Sequence, residues 1–234
     1  MRIEAPHPWH VSPEQAREIQ ERLRSRVVTH GAPRDVRLVA GVDISVGGQG
    51  RPGLAAVVVV SYPALTPVEQ SVVQAQVTFP YVPGLLSFRE IPVITPAFER
   101  LHSVPDLVVV DGQGYAHPRR FGLASHLGVL LGLPTIGCAK SRLIGRYAPP
   151  GSERGATSPL LDRGEMIGCV VRTRTGVSPL FISVGHLIGL DEAVEWILKL
   201  TKGLRQPEPT RLAHLAAAGA HLTPSASPPG KGDP

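Results

Sequence analysis

Cysteine is nearly missing: Cys138 and Cys169 are the only two in 234 residues. They form no disulfide framework and lack the spacing of a zinc site. Both lie in apolar settings, LPTIGCAK and MIGCVV, and read as free thiols packed like small hydrophobes. No run approaches the roughly 20 uninterrupted apolar residues of a helical membrane span. The opening MRIEAPHPWH has no apolar core of a secretory signal, and a cytoplasmic location is expected. There is no internal repeat. Neither sign of charge dominates, because 24 Lys and Arg against 19 Asp and Glu leave a formal +5. That excess suits a polyanionic partner without requiring one. A nucleotide loop is also lacking. The Gly112-Gln113-Gly114 triplet has neither the further glycine of a dinucleotide fingerprint nor the Gly-Lys-Ser/Thr of a P-loop, so no nucleotide cofactor is expected.

What is present suits one domain with tails. Hydrophobic residues make up 42% of the chain, enough for a core. Residues 1–11 read as a flexible arm, 12–222 as a single domain, and 223–234, rich in Pro, Gly and Ser, as a disordered tail. Ser12, Pro13 and Gln15 have the spacing of a capping box opening a polar helix over 12–28. Three β-rich runs follow, at 36–46, 53–63 and 68–79. Gly47-Gly48-Gln49-Gly50 is a hairpin turn signal between the first two, so an antiparallel meander is expected. A helix is expected over 92–103, a doubly buried strand at DLVVVDG, a helix from His117 to Gly132, and a second buried strand at LPTIGCA. Strand, helix and strand in that order imply a parallel unit with a right-handed crossover. Residues 146–164 read as a loop, GEMIGCVVRT and SPLFISVG as a strand pair, and the stretches from Leu190 and Pro209 as closing helices. An antiparallel three-strand meander followed by parallel strands, flanked by helices, is the order of a ribonuclease H-like α/β domain.

Three carboxylates stand out by placement. Asp43 lies inside the first strand, where acids are disfavoured. Asp111 ends the run of valines in DLVVVDG, at the carboxyl edge where open α/β sheets bind ligands. Glu90 follows Phe88-Arg89 in a Pro- and Gly-dense motif. An acid in a core strand is costly unless it binds a metal, pairs with a cation or reaches solvent. If the first and fourth strands are neighbours, Asp43 and Asp111 face one another. Mg2+ or Mn2+ would then relieve their repulsion, since hard oxygen donors with few histidines disfavour zinc. Taken singly, each acid equally fits a salt bridge or turn cap, Asp111 in its Asp-Gly turn above all. Lys140, after the second buried strand, suits phosphate neutralisation or an ordinary solvated loop. His117 before Pro118 suits a ligand contact or a helix cap. Tyr81, on a proline-bounded loop, suits base stacking or packing under the loop. The basic residues Arg119, Arg120, Lys140, Arg142 and Arg146 can track a phosphate backbone or form a solvated face. His126 and His186 have no partner spacing and read as structural.

Four motifs, PYVPGLLSFRE (80–90), VAGVDIS around Asp43, residues 106–145 and PEPTRLAH (207–214), resemble endonuclease V, in the family's order and spacing over about 12–220. The resemblance implies a ribonuclease H-like fold and Mg2+-dependent hydrolysis, with Mn2+ able to substitute. The implied substrate is DNA carrying deoxyinosine or other deaminated bases, with inosine RNA as an alternative. The cut implied is at the second phosphodiester 3′ to the lesion, leaving 3′-hydroxyl and 5′-phosphate. It assigns Asp43 and Asp111 to the metal, Glu90 as the third active-site acid acting directly or through water, Lys140 as the catalytic lysine, and His214 as an active-site histidine of some members. Tyr81 matches the wedge beside the lesion. Pro83, Gly84, Leu86, Arg89, Gly112, Gly114 and His117 fall in segments around the lesion pocket. A monomer is expected. Two other readings compete: a different ribonuclease H-like nuclease such as a junction resolvase or excision-repair nuclease, which would not need PYVPG, and a lesion-binding protein without activity.

Overall fold

A computed structural model describes residues 3–46 and 52–222. The expected turn at Gly47–Gly50 and the tail from Thr223 lie outside them. The architecture is one eight-stranded mixed sheet between two helical layers. Its strands are β1 (Leu38–Val46), β2 (Gly53–Ser61), β3 (Pro67–Ala75), β4 (Leu107–Val110), β5 (Thr135–Ala139), β6 (Thr157–Asp162), β7 (Glu165–Val171) and β8 (Leu180–His186). The helices are α1 (Pro13–Leu23), α2 (Leu86–Glu99), α3 (Leu123–Leu131), α4 (Leu190–Lys199) and α5 (Glu208–Ala217). The strand order is β3-β2-β1-β4-β5-β8-β7-β6. β1, β2 and β3 form the antiparallel meander, and β1, β4 and β5 run parallel. This is the ribonuclease H-like arrangement that the element order implied. The sheet is then extended by β8, β7 and β6, all antiparallel to their neighbours.

Alternation along the central strands builds two cores. Ala40, Val42, Val108 and Val110 pack with Ile91, Ile94, Phe98, Leu123 and Leu127 of α2 and α3. Val39, Val58, Val109 and Ile182 pack on the opposite face with Ala193, Ile197, Leu212 and Ala216 of α4 and α5. Strands buried on both faces lose alternation and read as continuous apolar runs, hence the run of valines at 57–60 and 108–110. α1 starts at the expected capping box: Ser12 Oγ accepts from Gln15 N–H, and the Gln15 side chain accepts from the Ser12 N–H.

Four elements differ from expectation. The second helix begins at Leu86 rather than 92, so Pro92 and Pro96 lie inside it. Each proline removes one helical hydrogen bond, and burial of Phe88, Ile91, Val93, Ile94, Ala97 and Phe98 offsets that loss. The helix expected from His117 starts only at Leu123. Arg120 there takes a left-handed φ of 54°, and the Gly122 N–H donates to Gly114 O at 3.0 Å, folding residues 117–122 back on the preceding loop. The loop expected over 146–164 contains β6. Its Pro159 is tolerated because β6 is an edge of the sheet, and Arg163-Gly164, both at positive φ, turn the hairpin into β7. Finally, residues 3–11 lack regular structure, as an arm would, yet they lie against the domain. His7 is buried, its Nε2 is 2.8 Å from His126 Nε2, and Trp9 stacks on the His126 ring.

Candidate active site and base pocket

The parallel pairing of β1 with β4 sets Val42 beside Val110, and the Asp111 N–H donates to Val42 O at 3.3 Å. Asp43 and Asp111 are each the next residue, so both emerge at the same edge of neighbouring strands. Asp43 shares its strand face with Gly41, over which α5 crosses. A Cβ on Gly41 would lie 2.0 Å from the Pro209 carbonyl group, so only glycine admits the helix at that distance. The close crossing delivers His214, whose Nδ1 is 2.8 Å from Asp43 Oδ2. Opposite a carboxylate, that nitrogen carries the proton and donates. Lys140, just past β5, places Nζ 2.6 Å from Asp111 Oδ2.

Glu90 comes from the first turns of α2 and is buried. Burial, followed by the negative charges of Asp43 and Asp111, pushes its carboxyl up to about 8. Asp111 is also raised, because burial outweighs the pull of Lys140. Three hard-oxygen carboxylates that disfavour one another's charge fit a divalent cation. Among the described residues, however, no three His, Cys, Asp or Glu side chains stand in chelating array. As folded here, Asp43 and Asp111 are engaged by His214 and Lys140. The donor set thus suits a cation held by the two strand carboxylates, with Glu90 beside them.

A cavity of about 400 Å³ opens beside these acids, and Asp111 and Lys140 form part of its wall. Tyr81, Pro83, Gly84 and Leu86 line one side, and Gly112 and His117 another. Tyr81 is 71% exposed. His117 is pushed down to about 4 by burial and then by the Arg119 charge, so it is neutral at physiological pH. Its Nε2 donates to Gly84 O at 3.0 Å and its Nδ1 accepts from the Arg119 N–H at 3.2 Å, which defines the tautomer.

The family model for endonuclease V matches residues 21–215. This chain belongs to the endonuclease V family. Endonuclease V of Gloeobacter violaceus is 54% identical over 213 residues, covering 90% of this chain and 87% of the relative. The crystal structure of endonuclease V from Streptomyces avermitilis superposes with a TM-score of 0.86 at 46% identity, covering 91% and 94% of the two chains. That of Ciona intestinalis endonuclease V, in complex with a DNA containing an inosine followed by a ribo-adenosine, gives a TM-score of 0.77 at 26% identity, covering 89% and 97%.

Of the residues that endonuclease V motifs single out, Asp43, Glu90, Asp111, Lys140 and His214 converge at one strand edge, while Tyr81, Pro83, Gly84, Leu86, Gly112 and His117 line the adjoining cavity. Two do not reach it. Gly114 is a packing position, since a Cβ would lie 2.1 Å from Val184 O and its N–H donates to Ser183 Oγ at 2.9 Å. Arg89 turns away and donates from Nη1 to Phe79 O at 2.7 Å, anchoring the chain ahead of Tyr81. Sequence reasoning missed Gln20, Ser87 and Gln113, all of which line the cavity. Ser87 Oγ and Gln113 Oε1 are buried without a hydrogen-bond partner. Gln20 did carry a signal: with Ala16, Ile19 and Leu23 it completes the i, i+3, i+4, i+7 stripe that faces the core.

Proposed function

We propose that this endonuclease V nicks DNA at deoxyinosine and other deaminated bases. The cut falls at the second phosphodiester 3′ to the lesion and leaves 3′-hydroxyl and 5′-phosphate ends. The observation that carries this reading is that one cavity wall includes both Asp111 of the acidic cluster and its partner Lys140. A base drawn into the cavity therefore brings its own backbone to the acids. The cavity lies within the range of about 300–1,000 Å³ typical of small-ligand pockets. Its walls at Gly84 and Gly112 present backbone at close range, which suits reading the edge of a flipped base. Tyr81, exposed on a proline-bounded loop at the mouth, fills the gap left in the stack.

In this reading Asp43 and Asp111 hold Mg2+, for which Mn2+ can substitute, and Glu90 joins them directly or through water. The cation, when bound, supplies positive charge against the charge that develops on the phosphate. Lys140 then turns from Asp111 towards the phosphate or the leaving 3′-oxygen. His214, on the outer side of Asp43, holds that carboxylate in place and is itself 55% exposed, within reach of a proton-bearing water. The enzyme works as a monomer in the cytoplasm. A duplex with one labelled deoxyinosine strand tests the reading, incubated with Mg2+ beside an undamaged duplex and an EDTA control. A nick in the inosine strand only, lost with EDTA, supports it. No cutting by folded, metal-supplied protein overturns it. Inosine RNA belongs in the same experiment, because the nucleic acid bound by the Ciona protein carries a ribo-adenosine after the inosine. Cutting of RNA alone would move the substrate from DNA to RNA and leave the site unchanged.

A further inference from the structure

The loop bearing Tyr81 is tied, on the side that follows the tyrosine, through the Gly84 carbonyl. Gly84 takes a left-handed φ of 77°, and its oxygen accepts from three side chains: Gln20 Nε2 at 3.1 Å, His117 Nε2 at 3.0 Å and Arg119 Nη2 at 2.7 Å. Gln20 is the hub of this arrangement. Its second amide hydrogen reaches Phe121 O at 3.2 Å, and its own Oε1 accepts from Arg119 Nε at 2.5 Å. Only 1% of Gln20 is exposed. These hydrogen bonds of the Gln20 side chain therefore tie α1 to the two chain segments, 81–86 and 112–122, that face each other across the cavity. An amide on a core stripe is expensive unless all its groups are paired. Here the pairing is spent on cavity walls and not on the sheet.

We infer that Gln20 is a positioning residue for lesion recognition: it fixes the distance between the Tyr81 loop and the His117–Phe121 turn, and so the width of the pocket a deaminated base enters. This deepens the function proposed above and rests on it for the nature of the substrate. It assigns Gln20 no contact with the scissile phosphate. Loss of the strut widens or loosens the pocket, and the acids at the strand edge are left where β1 and β4 put them.

Gln20→Leu keeps the volume and removes all three hydrogen bonds. Gln20→Glu keeps an acceptor for Arg119 and removes both donors. Amide hydrogen exchange reads the loop directly and needs no substrate. In both variants the amides of Leu85 and Phe88, which donate to Val82 O and Leu85 O, are expected to exchange about tenfold faster, while β1 and β4 stay protected. Unchanged exchange at Leu85 and Phe88 overturns the strut, and exchange raised throughout the sheet reduces Gln20 to ordinary core packing, which also overturns it. Kinetics on a deoxyinosine duplex then separate positioning from chemistry. KM is expected to rise about tenfold with kcat within about threefold, in line with loss of one or two buried hydrogen bonds. A fall in kcat with KM unchanged overturns the inference. Failure of the wild-type protein to cut that duplex overturns the proposed substrate instead, and the exchange result still decides the strut.

Discussion

Asp43 and His214 are separated by 171 residues in sequence and joined by a 2.8 Å hydrogen bond, and the approach depends on the absence of a side chain at Gly41. β1 offers α5 a bare strip of backbone, Pro209 drops onto it, and the next turn of helix brings His214 over the carboxylate. A methyl group on Gly41 has nowhere to go, because the atoms it meets are backbone and cannot rotate aside. Gly41→Ala should therefore destabilise the fold by about 3 kcal/mol or more, the upper end for overpacking. Urea unfolding measures this. A variant within about 0.5 kcal/mol of wild type would show that α5 is not held where it is placed here.

Glu90 makes stability depend on pH. Its carboxyl, normally near 4.5, sits at about 8 in the folded protein. The folded state thus resists ionisation that the unfolded chain undergoes freely. Below pH 4.5 Glu90 costs nothing. Between 4.5 and 8 the cost grows, and above 8 it is constant, at most about 5 kcal/mol and less after local relaxation. Asp111, shifted in the same direction, adds to the trend. In EDTA the unfolding midpoint should fall from pH 5 to pH 8. Glu90→Gln should flatten that fall and exceed wild type at pH 8. Millimolar Mg2+ should recover much of the loss for wild type and little for the variant. A midpoint independent of pH in EDTA would contradict the burial and charge crowding of this carboxylate.

Tyr81 offers the cleanest separation of recognition from folding. At 71% exposure its ring contributes little to the core. Tyr81→Ala should leave stability within about 0.5 kcal/mol of wild type. Cutting at deoxyinosine should drop about tenfold or more, because stacking on an aromatic ring is worth about 1–3 kcal/mol per base. The ratio of cutting on inosine and undamaged duplexes, measured side by side, gives the result. A junction-cutting activity that survives the substitution would instead favour a different nuclease on this fold.

Local chemistry explains which parts were readable beforehand. Asp43 and Asp111 each fit a salt bridge or turn cap when taken alone, and they become telling as a pair, one within and one at the end of apolar strands that lie side by side. Tyr81 was marked by the flanking prolines, and Gly84 by the family motif alone. Glu90 was recognisable by motif, but its helix was placed six residues late, since Pro92 looks like a helix start when the burial that tolerates it is unseen. β6 was lost in a Pro-, Gly- and Ser-rich stretch whose Pro159 is acceptable only at an edge. Gln20 passed as one more polar residue of a polar helix. Its importance lies in contacts 64, 99 and 101 residues away, which periodicity does not encode. Gly114 stood in a glycine pair whose first member lines the cavity, and the close approach that demands it comes from β8, far along the chain.

Lys140 is where the chemistry of the site can be separated from its architecture. The residue's backbone is fixed independently, because its carbonyl accepts from Arg205 Nη2 at 2.8 Å and the preceding strand lies between β4 and β8. Lys140→Ala should therefore fold with an unchanged α/β spectrum. Two consequences follow from the ammonium alone. Asp111 loses the ammonium 2.6 Å from its Oδ2, so its carboxyl rises further and the metal-free protein loses stability as pH increases. In the proposed mechanism positive charge is also withdrawn from the scissile phosphate, for which a fall of about 10²–10³ in kcat is expected, with KM for the inosine duplex little changed. Lys140→Arg restores the charge in a different shape and should recover part of the rate. The measurement is single-turnover nicking at saturating enzyme, which removes product release from the comparison. A rate for Lys140→Ala within threefold of wild type would mean that the lysine serves only to neutralise Asp111 in the absence of metal, and that the phosphate is stabilised without it.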